Sequence, residues 1–236
     1  LVMQNKKRVL IACPFPQGVA AGQRLKYEQY FDYWRVNGYE ISVSSFMDSA
    51  MWRIVFTRGN YISKFKGTLR GYFRRFLDIS RLKQFDVVYI FMWVTPIGSS
   101  LFERIFRNLS NHIIYDVEDN VLTEKSSELN PFVKALKSPG KTIYLIKTAD
   151  HVITSSPFLN DYCLGINRNT ACTYISSSLA SDRFLPVNTY SNEKKITIGW
   201  TGTFSSQIFL DLLRNVFLEL NKRIDFKLRV ICNFKY

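Results

Sequence analysis

The chain opens with an apolar run closed by prolines and glycines. "KRVLIAC" (7–13) has the pattern of a buried strand, and the loop "PFPQGVAAG" follows it. "QRLKYEQYFDYWRVNG" then spaces Leu25, Tyr30, Phe31 and Trp34 close to the helical period, and Gly38 is a stop signal. "YEISVSSF" alternates as a half-buried strand does. Strand, helix and strand in this order open a doubly wound sheet.

The alternation continues along the chain. "FDVVYIFMWV" (85–94) is apolar throughout, as a parallel strand covered on both faces must be. "IGSSLFERIFRNL" predicts a helix with a serine at its cap, and "NHIIYD" a strand. Residues 130–149 predict a helix broken near Pro139. "DHVITSS" and "TACTYIS" read as strands, with a short helix, "PFLNDYCLG", opened by proline between them. The polar stretch "LPVNTYSNEKK" has no strand pattern. The expected fold class is α/β, a Rossmann-like doubly wound parallel sheet over 1–184, a linker at 185–195, and the start of a second Rossmann-like domain at 196–236. In support, "KRVLIACPFPQG" and "KKITIGWTGTFSS" share one order: basic residues, strand, glycine turn.

Residues 47–84 break the alternation and read as short helices or an insertion. Between Met51 and Lys83 stand nine Lys or Arg against one acid, interleaved with Trp52, Phe56, Tyr61, Phe65, Tyr72, Phe73 and Phe76. "GTLRGYFRRFLDI" has the pattern of a basic amphipathic helix. Such a segment lies on anionic lipid, packs as an insertion with a solvated basic face, or stacks on single-stranded nucleic acid. The first reading is adopted, with Arg70, Arg74 and Arg75 as membrane-binding residues and no nucleic-acid partner expected.

Composition narrows the picture further. Of 236 residues, 47% are apolar, enough for a sizeable core, and the net charge of +13 calls for an anionic partner. No apolar run approaches the ~20 residues of a membrane-spanning helix. Cys13, Cys163, Cys172 and Cys232 have no C-x-x-C spacing and lie in apolar surroundings, the usage of reduced thiols in a cytoplasmic protein. His112 and His151 each precede a strand and read as structural. Neither a metal site nor a cofactor is expected.

The candidate chemistry gathers at strand ends. Gly18 and Gly22 lie between the first strand and helix, where backbone can approach a ligand, and Arg24 stands ready for a phosphate. The spacing is not G-x-G-x-x-G, so the dinucleotide fingerprint is missing. "YDVEDN" puts Asp116, Glu118 and Asp119 just past a strand, where a carboxylate can take a proton from a hydroxyl, orient a sugar or cap a helix. In "TGT", Gly202 and Thr203 form a turn that can hold a diphosphate, although no P-loop lysine follows.

Six segments in order, "GQRLKYEQYFDYWRVNGYEISV", "TPIGSSLFER", "IIYDVEDNVL", "ADHVITSSPFLNDYC", "SSLASDRFLP" and "IGWTGTFSSQIFLDLL", are similar to GT-B glycosyltransferases of the glycosyltransferase group 1 type, especially those of bacterial cell-surface polysaccharide synthesis. The chain departs from that pattern in having Glu118-Asp119 for an Asp-Asp pair, Met92 and Trp93 for an Arg-Glu pair, and "SSSLAS" for the hinge motif. The family's Glu-x7-Glu segment would fall beyond Tyr236, so 196–236 is expected to be the truncated start of a donor-binding domain, and this chain alone to be inactive. The resemblance implies sugar transfer, with retention and without metal, from a nucleotide-diphosphate donor to a glycan or lipid-linked acceptor. It puts Gly18, Gly22, Arg24, Gly202 and Thr203 near the donor diphosphate, and Asp116, Glu118 and Asp119 on the acceptor side. The basic-aromatic segment 51–83 and the cysteine usage together predict a cytoplasmic protein, peripheral on the inner face of the plasma membrane. The rival is a non-catalytic α/β module that binds anionic membrane or nucleic acid through residues 51–83.

Overall fold

The structure is a computed structural model and describes residues 6–118, 139–179, 181, 195–202 and 206–232. The chain divides into two compact units, Leu1–Ser181 and Asp182–Tyr236.

The first unit is built on a six-stranded parallel sheet in the order β2-β1-β3-β4-β5-β6. The strands are β1 (Lys7–Cys13), β2 (Tyr39–Ser45), β3 (Val87–Phe91), β4 (Ile113–Val117), β5 (His151–Thr154) and β6 (Cys172–Tyr174). The order reverses between β1 and β3, which makes the crevice beyond their carboxyl ends the topological switch point. Alternate residues divide the core between the two faces. Leu10, Ala12, Val88, Ile90, Ile113 and Tyr115 pack on one side. Val9, Ile11, Cys13, Tyr89 and Phe91 pack on the other with Tyr27 and Phe31. Burial raises the Cys13 thiol to about 11, and all four cysteines are free.

The helix predicted after β1 is three pieces: α1 (Ala21–Lys26), a 3-10 turn at Glu28–Tyr30 and α2 (Phe31–Val36). Gly38 follows with φ of 86°, the left-handed stop that glycine accepts. The irregular region 47–84 holds α3 (Ser49–Val55), capped by the Asp48 carboxylate on the Met51 amide at 2.7 Å, and a 21-residue helix, α4 (Tyr61–Arg81). α5 (Leu101–Leu109) follows β3. α6 (Pro139–Thr148) starts at the proline where a break was expected, and 130–138 lie outside the described residues. α7 (Pro157–Leu164) has its predicted proline in the first turn, with the Ser156 hydroxyl capping the Leu159 amide.

The second unit pairs β7 (Ile196–Gly202) with β8 (Phe226–Cys232) in parallel, joined through α8 (Gln207–Leu212) and α9 (Arg214–Asn221). Ile208, Phe209, Leu212, Val216, Leu218 and Ile231 remain exposed there. Among the described residues of both units no helix is long and apolar enough to cross a membrane.

Candidate functional site

The loop after β1 is shaped by side chains of the helix it leads into. Gln23 is buried and makes two bonds to Phe15, its Oε1 accepting the Phe15 amide and its Nε2 donating to the Phe15 carbonyl, each at 3.0 Å. Gln23 Nε2 also reaches Glu28, whose other carboxylate oxygen accepts the Gly18 amide at 2.9 Å. Gly18 sits at φ of 81°, and its N–H is used inside the loop rather than offered to a ligand. At Gly22 a Cβ would stand 2.8 Å from Glu118 Oε2, so α1 begins directly against that carboxylate. Arg24 is exposed half a turn further on.

β4 carries Asp116 and leads to Glu118. Ser155, just past β5, donates its hydroxyl to the Glu118 carbonyl. The sequence reading grouped three acids at an acceptor, but the structure puts Asp116 beneath the surface, with 0% of it exposed. The cause is strand parity: Asp116 points into the face shared with Tyr89 and α1. Its Oδ1 lies 3.1 Å from Lys26 Nζ, and Tyr89 donates its hydroxyl to Oδ2. The Lys26 nitrogen is close enough for an ion pair and has no other partner. Burial raises the Asp116 carboxyl above its ordinary value, against the opposing pull of Lys26. Burial and the neighbouring Asp116 charge also hold the Tyr89 phenol well above its ordinary value. Asp119 lies outside the described residues.

The end of β3 completes this edge. Met92 has φ of 61°, a left-handed conformation that costs an ordinary side chain about 1–3 kcal/mol. Tyr115 holds it in place by donating to the Met92 carbonyl at 2.8 Å, and the Met92 amide bonds the Asp116 carbonyl at 3.0 Å. Beyond it, buried Lys141 donates to the Thr95 and Ile97 carbonyls and the Thr95 hydroxyl. Glu103 accepts from the Thr95 amide and hydroxyl. Desolvation raises the Glu103 carboxyl and lowers the Lys141 ammonium, each partly offset by the other.

The carboxyl edge thus brings Gly22 and Glu118 together, with Arg24 nearby on α1. Sequence reasoning missed Gln23, Lys26, Tyr89, Glu103 and Lys141, which hold the edge from below. For Lys26 and Tyr89 a signal existed: Lys26 falls on the same helical face as Gln23, and Tyr89 is the lone hydroxyl in an apolar strand.

In the second unit, Gly202 ends β7. A Cβ there would lie 2.3 Å from the Trp200 ring and 2.7 Å from Ser206 Oγ, so the ring lies against Gly202. Thr203 lies outside the described residues. Among the described residues, no group of three or more His, Cys, Asp or Glu side chains is placed to hold a metal ion.

The three arginines expected at a membrane are distributed unequally. Arg70 is exposed and pairs with Asp48 at 3.0 Å. Arg74 is half-buried and caps the Ser45 and Phe46 carbonyls. Arg75 is 0% exposed, so it is not on that surface: the helix turns it inward onto the strand ends.

No family model matches the chain, and no curated protein does. Among solved structures, HepE of Anabaena in complex with UDP-glucose is similar. It superposes with a TM-score of 0.50 at 10% sequence identity, covering 95% of this chain and 69% of its own. The likeness is one of fold. The chain is an α/β protein with a mostly parallel, Rossmann-like sheet, and it shares that fold with HepE.

Proposed function

We propose that the protein is a glycosyltransferase, moving a sugar from a nucleotide-diphosphate donor to a glycan or lipid-linked acceptor in cell-surface polysaccharide synthesis. The observation that carries this reading is the fold shared with a UDP-glucose-bound protein over 95% of the chain. The pairing of Gly22 with Glu118 agrees with it, because open parallel sheets bind ligands beyond their carboxyl ends.

In this reading the exposed Arg24 guanidinium pairs with the donor diphosphate and stabilises the charge that grows as the sugar departs. In the second unit, Gly202 and Thr203 are the residues proposed for diphosphate binding. Glu118, together with Asp119, takes the acceptor side, accepting the proton of the attacking hydroxyl. Asp116 is a positioning residue, holding Lys26 and the end of β4 in place from beneath. The reaction retains configuration, uses protein cations in place of a metal, and takes place on the cytoplasmic side at the inner face of the plasma membrane.

The test is calorimetric titration of the chain with UDP-glucose and other UDP- and GDP-sugars. Saturable binding of one donor is expected, weakened about tenfold by Arg24→Ala, the scale of one charge-assisted contact. No saturable binding across the panel would overturn the reading.

A further inference from the structure

α4 is folded inside out. Its inward residues are Gly67, Gly71, Arg75 and Asp78, all buried. The two glycines let the helix backbone sit directly on the domain: a Cβ would come within 2.9 Å of Met51 at Gly67 and 2.6 Å of the Phe46 ring at Gly71. Its large apolar residues face away. Ile62, Phe65, Leu69, Phe73, Phe76 and Leu77 are 73%, 69%, 61%, 62%, 64% and 49% exposed. At 3.6 residues per turn these six fall within an arc of about 120°. A helix at the surface of a globular protein normally turns such a stripe to the core.

The charges around the stripe define what would cover it. Lys66 lies within it, and Arg70 and Arg81 lie beside it. Arg53, Arg58 and Lys83 are exposed at its two ends. The one acid of the segment, Asp78, is buried between Arg75 and Arg81. Asp48, paired with Arg70, is the carboxylate at its margin.

We infer that α4 lies flat in the anionic surface of a lipid bilayer, with Phe65, Leu69, Phe73 and Phe76 among the acyl chains and Lys66 and Arg70 among the headgroup phosphates. A helix of this length lies about 30 Å along the interface. A second copy of the chain would bring one basic stripe against another. Single-stranded nucleic acid would stack on aromatic faces, whereas half of this stripe is Ile62, Leu69 and Leu77. The inference extends the membrane placement proposed above, but it rests on this surface and not on the sugar-transfer reaction.

The test is co-sedimentation of the whole chain with vesicles of phosphatidylcholine plus phosphatidylglycerol, and of phosphatidylcholine alone. The variants are the triple Phe65→Ser/Phe73→Ser/Phe76→Ser and the double Lys66→Glu/Arg70→Glu. Circular dichroism confirms that each retains its helices, since the outward residues support no core. The wild type is expected to pellet with anionic vesicles. Both variants should lose binding by at least about tenfold, because each removes several apolar or headgroup contacts. UDP-glucose titration of the triple variant is expected to match the wild type, which separates the docking surface from the transfer site. Four results would each overturn the inference. The wild type stays in the supernatant with anionic vesicles, or the triple variant pellets as well as the wild type. Light scattering shows a dimer that the triple variant dissolves, with no vesicle binding. Or a single-stranded oligonucleotide binds the stripe more tightly than vesicles do.

Discussion

Two buried ion pairs lie on opposite faces of one sheet, and they are built to different standards. Arg75, on the α4 side, engages all three nitrogens of its guanidinium. Nε donates to the Val94 carbonyl, Nη2 to the Cys13 carbonyl, and Nη1 to Ser44 and Asp78, all at 2.8–3.0 Å. It ties together the carboxyl ends of β1 and β2 and the chain beyond β3, around the switch point. Lys26, on the other face, has only the Asp116 carboxylate, 3.1 Å away. The difference follows from side-chain chemistry: a planar fork of donors can serve several carbonyls at once, whereas a lysine head is a point charge. A satisfied buried charge organises the fold. One with a single partner, on the helix that carries Gly22 and the strand that leads to Glu118, leaves donors unused, a local cost of the kind expected near functional sites.

The comparison can be broken most directly at Arg75. Arg75→Met should leave the strand-end carbonyls of Cys13, Ser44 and Val94 without their donor and Asp78 with Arg81 as its remaining cation, and cost about 3–5 kcal/mol in urea unfolding. A loss under about 1 kcal/mol, the scale of a single net hydrogen bond, would show that the ties are not formed. Next comes the seat of the helix that delivers Arg75. Gly71→Ala gains about 1 kcal/mol of helix propensity but drives a methyl into the Phe46 ring, an overpacking cost of about 1–3 kcal/mol. A net loss in thermal stability is expected, and a rise would mean that the ring can move aside.

A third test uses pH. The Asp116 carboxyl is raised in the folded protein, chiefly by burial. The native state therefore holds its proton more tightly than the unfolded chain, whose carboxyl titrates near about 3.9. Stability from this group is greatest below that value and is lost as pH rises through the folded one. Glu103 acts in the same direction. Urea midpoints across this range should fall less steeply for Asp116→Asn than for the wild type, and parallel curves would contradict the assignment.

The smallest effect should come from removing the weaker pair entirely. Lys26→Met with Asp116→Asn leaves no charge stranded and keeps an acceptor for the Tyr89 hydroxyl, so stability should stay within about 1 kcal/mol of the wild type. If this double variant costs as much as Arg75→Met, the two pairs are equivalent and the contrast fails.

Much of the fold was legible before any coordinates. β1, β3 and β4 are dense apolar runs, and the positions of Gly38 and Pro157 mark helix ends by local chemistry alone. The site was legible only in part. Gly22 and Glu118 were both singled out, but their meeting depends on β4 lying two strands from β1, which no local pattern reports. Asp116 looked like its neighbours Glu118 and Asp119 because side-chain direction on a strand depends on register with the partner strands.

α4 shows the boundary most clearly. Its amphipathic period is a local property, set by which residues fall 3.6 apart, and the chain carries it wherever the helix goes. Which face turns inward is decided by what the rest of the domain offers. Here the offer is a row of strand-end carbonyls and the flat Phe46–Met51 surface, which an arginine and two glycines fit and a stripe of phenylalanines does not. Composition therefore marked residues 51–83 as basic and aromatic, while only tertiary packing could send Arg75 into the core and leave Phe65, Phe73 and Phe76 outside.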